Sequence, residues 1–211
     1  MNRETVDEIL RRLEAAYPDA RCALDHKNVY ELLVSTVLSA QTTDKSVNKV
    51  TPALFSAYPD PEHMAQADPD DVAAYIRTIG MYRQKSKHIV ALSKMLVEEF
   101  GGKVPQDMTL LQKLPGVGRK TANVVLADGF GEPHIAVDTH VFRVSNRIGL
   151  AHGSDVRETE EQLMEAIPKE RWTDAHHMLI FHGRNCCSAR KPKCQECPVK
   201  DLCEFPVEEV R

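Results

Sequence analysis

Apolar positions in this chain repeat at helical spacing almost from the first residue. Between Thr5 and Tyr17, Val6, Ile9, Leu10 and Leu13 fall on one stripe, which predicts an amphipathic helix ended by Pro18. Val29 to Ala40 is apolar nearly throughout and exits into the polar Gln41-Thr42-Thr43-Asp44; its length favours a buried helix over a strand. Ser46 to Tyr58 reads as a further helix. Asp68-Pro69-Asp70-Asp71 is a strong helix start, with a capping Asp, Pro at the first position and acids in the first turn. Gly80 is expected to close that helix after Ile79. Lys85 to Phe100 runs up to Gly101-Gly102.

Gly129 to Pro133 interrupts the pattern and marks the expected domain boundary. Beyond it Asp138 is placed to cap Thr139 to Arg147, which Gly149 ends. Ser154 opens Val156 to Ile167, and Trp172 to Asn185 is the last long helix. The C-terminal part is short and is expected to recruit the N-terminal helix to complete its core. From Cys186 onward the chain is broken by Pro192, Pro198 and Pro206. Strand signals are nearly absent, so the predicted fold class is all-α.

At 211 residues, with 42% hydrophobic content, the chain fits one large or two small packed domains. A net charge of −4 gives no global nucleic-acid signal, so any DNA binding must use a local patch. No stretch is long and apolar enough to span a membrane, and the charged N-terminus is not a secretion signal. Six cysteines in an apparently cytosolic protein argue for metal or catalysis over disulfides.

Leu114-Pro115-Gly116-Val117-Gly118-Arg119-Lys120-Thr121-Ala122 joins two helical patterns, Met108 to Lys113 and Thr121 to Ala127. Pro115 stops the first. Gly116 and Gly118 are expected to permit positive φ and to leave no Cβ above the turn. The amides of Gly118, Arg119 and Lys120 would then open the second helix, where bare amides favour a phosphate. The reading is a turn that binds a phosphodiester backbone and places one lysine beside it. The competing reading is an ordinary glycine-rich turn with an exposed Arg-Lys pair.

Cys187, Cys194, Cys197 and Cys203 have the spacing C-x6-C-x2-C-x5-C, which can close around one metal centre. Spacing alone leaves zinc and a [4Fe–4S] cluster both open. Cys22 and Cys186 are left over and read as buried or incidental. Arg184, Arg190, Lys191, Lys193 and Lys200 gather the positive charge around the same segment, against Glu196. A metal-stapled basic loop can grip phosphates at little ordering cost.

Three separated segments, Leu114 to Ala122, Val137-Asp138-Thr139-His140-Val141 and the four-cysteine tail, together resemble the endonuclease III family of helix-hairpin-helix DNA glycosylases. Leu38-Ser39-Ala40-Gln41-Thr42-Thr43-Asp44 fits the same resemblance. The resemblance implies a two-lobed fold: a six-helix barrel over 22–132, with the hairpin at about 107–127, and a discontinuous cluster domain of 1–21 plus 133–211 with its four-cysteine loop at 187–203. It implies a [4Fe–4S] cofactor on the four cysteines. It also suggests a monovalent cation on main-chain carbonyls near Gln112, Leu114 and Val117. The implied activity is base excision repair: a bifunctional glycosylase and abasic-site lyase acting on oxidised pyrimidines in double-stranded DNA. A monomer in the cytoplasm, associated with the nucleoid when bound to DNA, is expected. The alternatives are a monofunctional adenine or mismatch glycosylase of the same superfamily and a non-catalytic, zinc-stapled DNA-binding module.

The resemblance also implies roles. Lys120 would be the nucleophile and Asp138 its catalytic partner, as proton acceptor or as stabiliser of oxocarbenium charge. Gln41 would plug the space left by an extruded nucleotide, and Met81, where the family more often has Leu, would wedge the opposite strand. Gly116, Gly118, Arg119, Arg184, Arg190, Lys191 and Lys193 would contact DNA. His140 would orient the site or serve as a hydrogen-bonded core histidine. A lysine starts near pKa 10.4, so a neutral amine at pH 7–8 costs about 3–5 kcal/mol. A helix N-terminus supplies only about 0.3–2 kcal/mol of that, and an aspartate opposes it, so desolvation by bound DNA must supply most.

Overall fold

The computed structural model describes residues 1–205; Pro206, named above as a helix breaker, lies outside them. All regular elements among the described residues are helical. The chain divides into two compact units, Cys22–Glu132 and Met1–Arg21 with Pro133–Arg211. No helix among the described residues is long and apolar enough to cross a membrane.

The Cys22–Glu132 unit holds α2 (Val29–Leu38), α3 (Asp44–Ala57), α4 (Pro61–Ala65), α5 (Pro69–Tyr75), α6 (Tyr82–Phe100), α7 (Met108–Leu111) and α8 (Arg119–Val124), the last continuing into a π turn at Val125–Gly129. Helix α2 is buried on nearly every face, so its polarity is low all round rather than striped. Its start is held by a reciprocal cap. Asn28 accepts the Glu31 amide at 2.9 Å, and the buried Glu31 carboxylate accepts the Lys27 amide at 2.8 Å. Leu33, Leu38, Leu54, Met64, Ile76, Leu92 and Leu96 form the core with α2 at its centre. Gly129 has no Cβ because one would stand 3.0 Å from Val29 of α2.

Helix α5 ends at Tyr75, not at Ile79. The apolar spacing continues past its end because Ile76 and Ile79 enter the core from the following turns. Helix α6 begins three residues before the predicted Lys85, at Tyr82. Helix α4, short and opened by Asp60-Pro61, carries too few residues to show a period.

The second unit comprises α1 (Arg3–Ala16), α9 (Thr139–Ile148), α10 (Val156–Ala166) and α11 (Trp172–Asn185). Asp155, rather than Ser154, caps α10, accepting the Arg157 and Glu158 amides. Val6, Ile9, Leu10 and Leu13 of α1 are buried with Val141, Val144, Leu163 and Leu179. Arg12 stitches α1 to the end of the chain: its guanidinium donates to Asp201 at 2.6 Å, to the Pro198 carbonyl at 3.2 Å and to Glu8 at 2.7 Å.

Truncation of a fully buried leucine leaves a cavity, so Leu92→Ala and Leu179→Ala should each lower stability by about 2–5 kcal/mol in denaturant melts. Arg11 and Arg12 hold the Glu8 carboxyl down at about 2, and Arg12 also holds Asp201 below the usual carboxylate range. Both groups favour the folded state when ionised. That contribution is present above the unfolded carboxylate pKa near 4 and is lost as pH falls toward 2. Acid melts of Arg12→Ala should show a smaller loss over that interval than wild type.

Candidate nucleic-acid interface and cysteine centre

Most helix starts in this chain are closed by their own side chains. Asn2, Asn28, Thr43, Asp60, Asp68, Asp107, Asp138 and Asp155 each accept first-turn amides. Helices α6, α8 and α11 have no side-chain cap. Helix α11 is fed by a 3-10 turn at Lys169–Arg171. Helices α6 and α8 start instead from turns around Met81 and Gly118, and neither has an acid in its first turn.

The hairpin is built tightly. Val117 donates to the Leu114 carbonyl at 3.1 Å, and Gly116 sits at φ 79. A Cβ on Gly116 would stand 2.9 Å from the His88 ring of α6, so both conformation and space demand glycine there. Gly118 differs from expectation. Its φ is −92 and ψ 179, an extended conformation open to any residue, and nothing lies within 4 Å of where a Cβ would be. What the missing side chain provides is a bare approach to the start of α8. Arg119 and Lys120 are the first two residues of α8, and Lys120 is exposed.

Gln41 and Met81 lie in the same unit as the hairpin, on the loops after α2 and before α6. Both are exposed. Among the described residues they are the non-glycine positions with positive φ, at 53 and 55. Neither was distinguishable from an ordinary loop residue by composition.

Asp138 and His140 belong to the other unit. Asp138 caps α9: its Oδ1 accepts the His140 amide at 2.8 Å and the Val141 amide at 2.7 Å. His140 is half-buried, and burial lowers its pKa below the ordinary value, with Arg143 and Arg184 acting in the same sense and Asp138 against it. An Arg143 guanidinium nitrogen lies 3.2 Å from His140 Nδ1. Gly183 of α11 lets α9 approach; a Cβ there would meet His140 and Arg143 at 3.1 Å. Arg184 lies in the last turn of α11, and Arg190, Lys191 and Lys193 are exposed beyond it.

Cys187, Cys194, Cys197 and Cys203 line one cavity and are free thiols. Burial pushes Cys197 up to about 12 and raises Cys203, so neither is a thiolate without a cation to displace its proton. Among the described residues the ligand atoms of His182, Cys186 and Cys197 lie within 4.8 Å of one another. Cys186, set aside in the sequence, is buried in the wall of this cavity. Arg147, which no local pattern marks, donates to the Cys187 sulfur at 3.6 Å and to the Ser188 and Ala189 carbonyls at 2.8 and 3.0 Å. Its charge offsets that of a thiolate set.

The two hairpin glycines should separate in a melt. Gly116→Ala should lower stability by about 1–3 kcal/mol, from strain at positive φ and the His88 contact, while Gly118→Ala should stay within about 0.5 kcal/mol. Asp138→Asn should keep its cap and fold as wild type, whereas Asp138→Ala should lose about 0.5–2 kcal/mol. The purified protein should be yellow-brown with a broad visible band, and Cys197→Ser should bleach it; a colourless protein holding zinc would contradict a cluster there.

Residues 34–169 match the family model of the HhH-GPD superfamily base excision DNA repair proteins, and residues 187–203 match the iron-sulfur binding domain of endonuclease III. Endonuclease III of Bacillus subtilis is 48% identical over 204 residues, covering 96% of this chain and 93% of the relative. Endonuclease III of Escherichia coli is 47% identical over 205 residues, covering 97% of each. A trapped endonuclease III–DNA covalent intermediate superposes with a TM-score of 0.94 at 45% identity over 100% of both chains. A non-covalent endonuclease III–DNA complex superposes at 0.92 with 46% identity, covering 97% of this chain and 96% of that one. Likeness over nearly the whole length accompanies a hairpin with an open α8 start, an Asp138 that caps α9 and a four-cysteine cavity: the chain belongs to the endonuclease III family of the HhH-GPD superfamily of base excision DNA repair proteins.

Proposed function

We propose that Lys120 and Asp138 carry the chemistry of this enzyme. It is a DNA glycosylase and abasic-site lyase of base excision repair, acting on oxidised pyrimidines in duplex DNA, and it holds a [4Fe–4S] cluster. The observation that supports the assignment most is the exposed primary amine of Lys120 in the first turn of an uncapped helix, behind a bare glycine. A similar protein, 45% identical, has been caught in a covalent intermediate with DNA, and such an intermediate needs a protein nucleophile.

The damaged nucleotide leaves the stack at a cost of a few kcal/mol, with Gln41 filling its place and Met81 pressing the opposite strand. The Lys120 amine, freed of its proton in the drier complex, attacks C1′ with its lone pair. The glycosidic C–N bond breaks and the base departs with a proton. The C1′–O4′ bond then breaks, O4′ takes the remaining amine proton to become a hydroxyl, and the imine of the opened sugar is left. Removal of a C2′ proton then expels the 3′ phosphate, which cuts the strand by β-elimination, and water hydrolyses the imine. Asp138 accepts a proton or steadies positive charge on the sugar; its cap bonds fix the carboxylate in either role. His140 steadies the start of α9 beside it.

Cys187, Cys194, Cys197 and Cys203 would hold the cluster, whose contribution is to staple the tail. Arg190, Lys191 and Lys193 on that tail, with Arg184 and Arg119, would meet phosphates. The Leu114 carbonyl already accepts the Val117 amide, leaving one lone pair for a monovalent cation shared with Gln112 and Val117. The substrate places the protein's work at the nucleoid.

Wild type mixed with abasic duplex and a hydride reductant should give a protein–DNA adduct, and Lys120→Gln should give none; an adduct in the variant would remove Lys120 from this role. Asp138→Asn should fold normally and lose at least about 100-fold in kcat on a thymine-glycol duplex. Neutralising Arg190, Lys191 or Lys193 should each lower the salt slope of duplex binding by about one, without changing lesion preference.

A further inference from the structure

Lys85 is buried, with 3% of its surface exposed, although Arg83, Gln84 and Lys87 around it on α6 are exposed. Its side chain enters no ion pair among those found for the described residues. Its Nζ donates at 2.8 Å to the hydroxyl of Thr42. The Thr42 hydroxyl in turn donates to the Ala40 carbonyl at 3.4 Å, so Gln41 is gripped on both sides. The Lys85 amide donates to the Met81 carbonyl at 3.0 Å. Thr42 also lies against the second loop, 3.9 Å from where a Cβ of Gly80 would be. Position 85 therefore meets both loops, the first through its ammonium and the second through its main chain in the opening hydrogen bond of α6, and these loops carry the exposed residues Gln41 and Met81 in left-handed backbone conformations.

That arrangement is costly for a structural lysine. An ammonium taken out of water needs compensation, and here a neutral hydroxyl supplies it. The first turn of a helix is also its positive end, which repels a cation. Methionine or leucine would fill the same space without either penalty. Non-glycine residues at positive φ carry strain and hold it only when their surroundings over-determine them. The Lys85–Thr42–Ala40 chain holds the first loop, and through Thr42, which abuts Gly80, it bears on the second.

We propose that Lys85 is a positioning residue which locks the Gln41 and Met81 loops into one preformed tool for nucleotide extrusion. The lock removes the ordering cost that two mobile loops would meet on entering the duplex. It acts on the step that separates a paired base from its partner, and not on the imine chemistry. The proposal rests on the reading of Gln41 and Met81 as plug and wedge.

Two measurements on full-length, cluster-loaded Lys85→Met, Thr42→Val and Thr42→Ser proteins test it. In amide hydrogen exchange of the free protein, Lys85→Met and Thr42→Val should each speed exchange about tenfold across both 40–43 and 80–82, and Thr42→Ser should match wild type. In single-turnover assays the first two variants should lose about tenfold on a paired thymine-glycol duplex. They should stay within about twofold on a preformed abasic site, where no base has to be unpaired. Unchanged exchange in Thr42→Val overturns the lock even if Lys85→Met does not fold. Equal losses on both substrates overturn the assignment to extrusion. Gln41→Ala and Met81→Ala at wild-type rates on the paired lesion would end the plug-and-wedge reading instead, while the exchange data still judge the lock.

Discussion

Every helix begins with amides that its own backbone cannot pair, and how each is satisfied governs the rest of this molecule. Asp and Asn caps close most of the starts, which makes those helices self-contained and indifferent to ligands. Helices α6 and α8 are left without side-chain caps, and both lie in the Cys22–Glu132 unit. Their turns carry the residues on which the proposed function depends: Met81 before α6, and Gly118, Arg119 and Lys120 at α8. A net charge of −4 does not prevent DNA binding when partial positive charge is concentrated at such ends and basic side chains gather on the tail.

The caps were readable because their chemistry is local. Asp68-Pro69 and Asp138 each carry their signal within one turn, and the structure has helices starting at those places. The end of α5 was misread because Ile76 and Ile79 keep an apolar rhythm after the helix has stopped. The extended backbone of Gly118 was misread for a related reason. Glycine permits positive φ without requiring it, and here its use is the absence of a side chain.

Long-range features left no trace in any window of sequence. Lys85 sits among Arg83, Gln84 and Lys87 and looks like one more surface lysine; only the fold brings Thr42 beneath it. Arg147 looks like the basic last turn of α9, yet its guanidinium reaches the Cys187 sulfur and the loop that follows. The cysteine spacing is visible as a motif. That His182 and Cys186 share the cavity lined by the four thiols is not.

The order of synthesis gives the discontinuous unit a history. Helix α1 leaves the ribosome well before the partners of its apolar face, Val141, Leu163 and Leu179, and the acceptors of Arg12 at Pro198 and Asp201. The Cys22–Glu132 unit has all of its own core in one continuous stretch and is free to fold while the remainder is still being translated. Until residues 198–201 have been made, the stripe of Val6, Ile9, Leu10 and Leu13 lacks part of its cover and Arg12 lacks two of its acceptors.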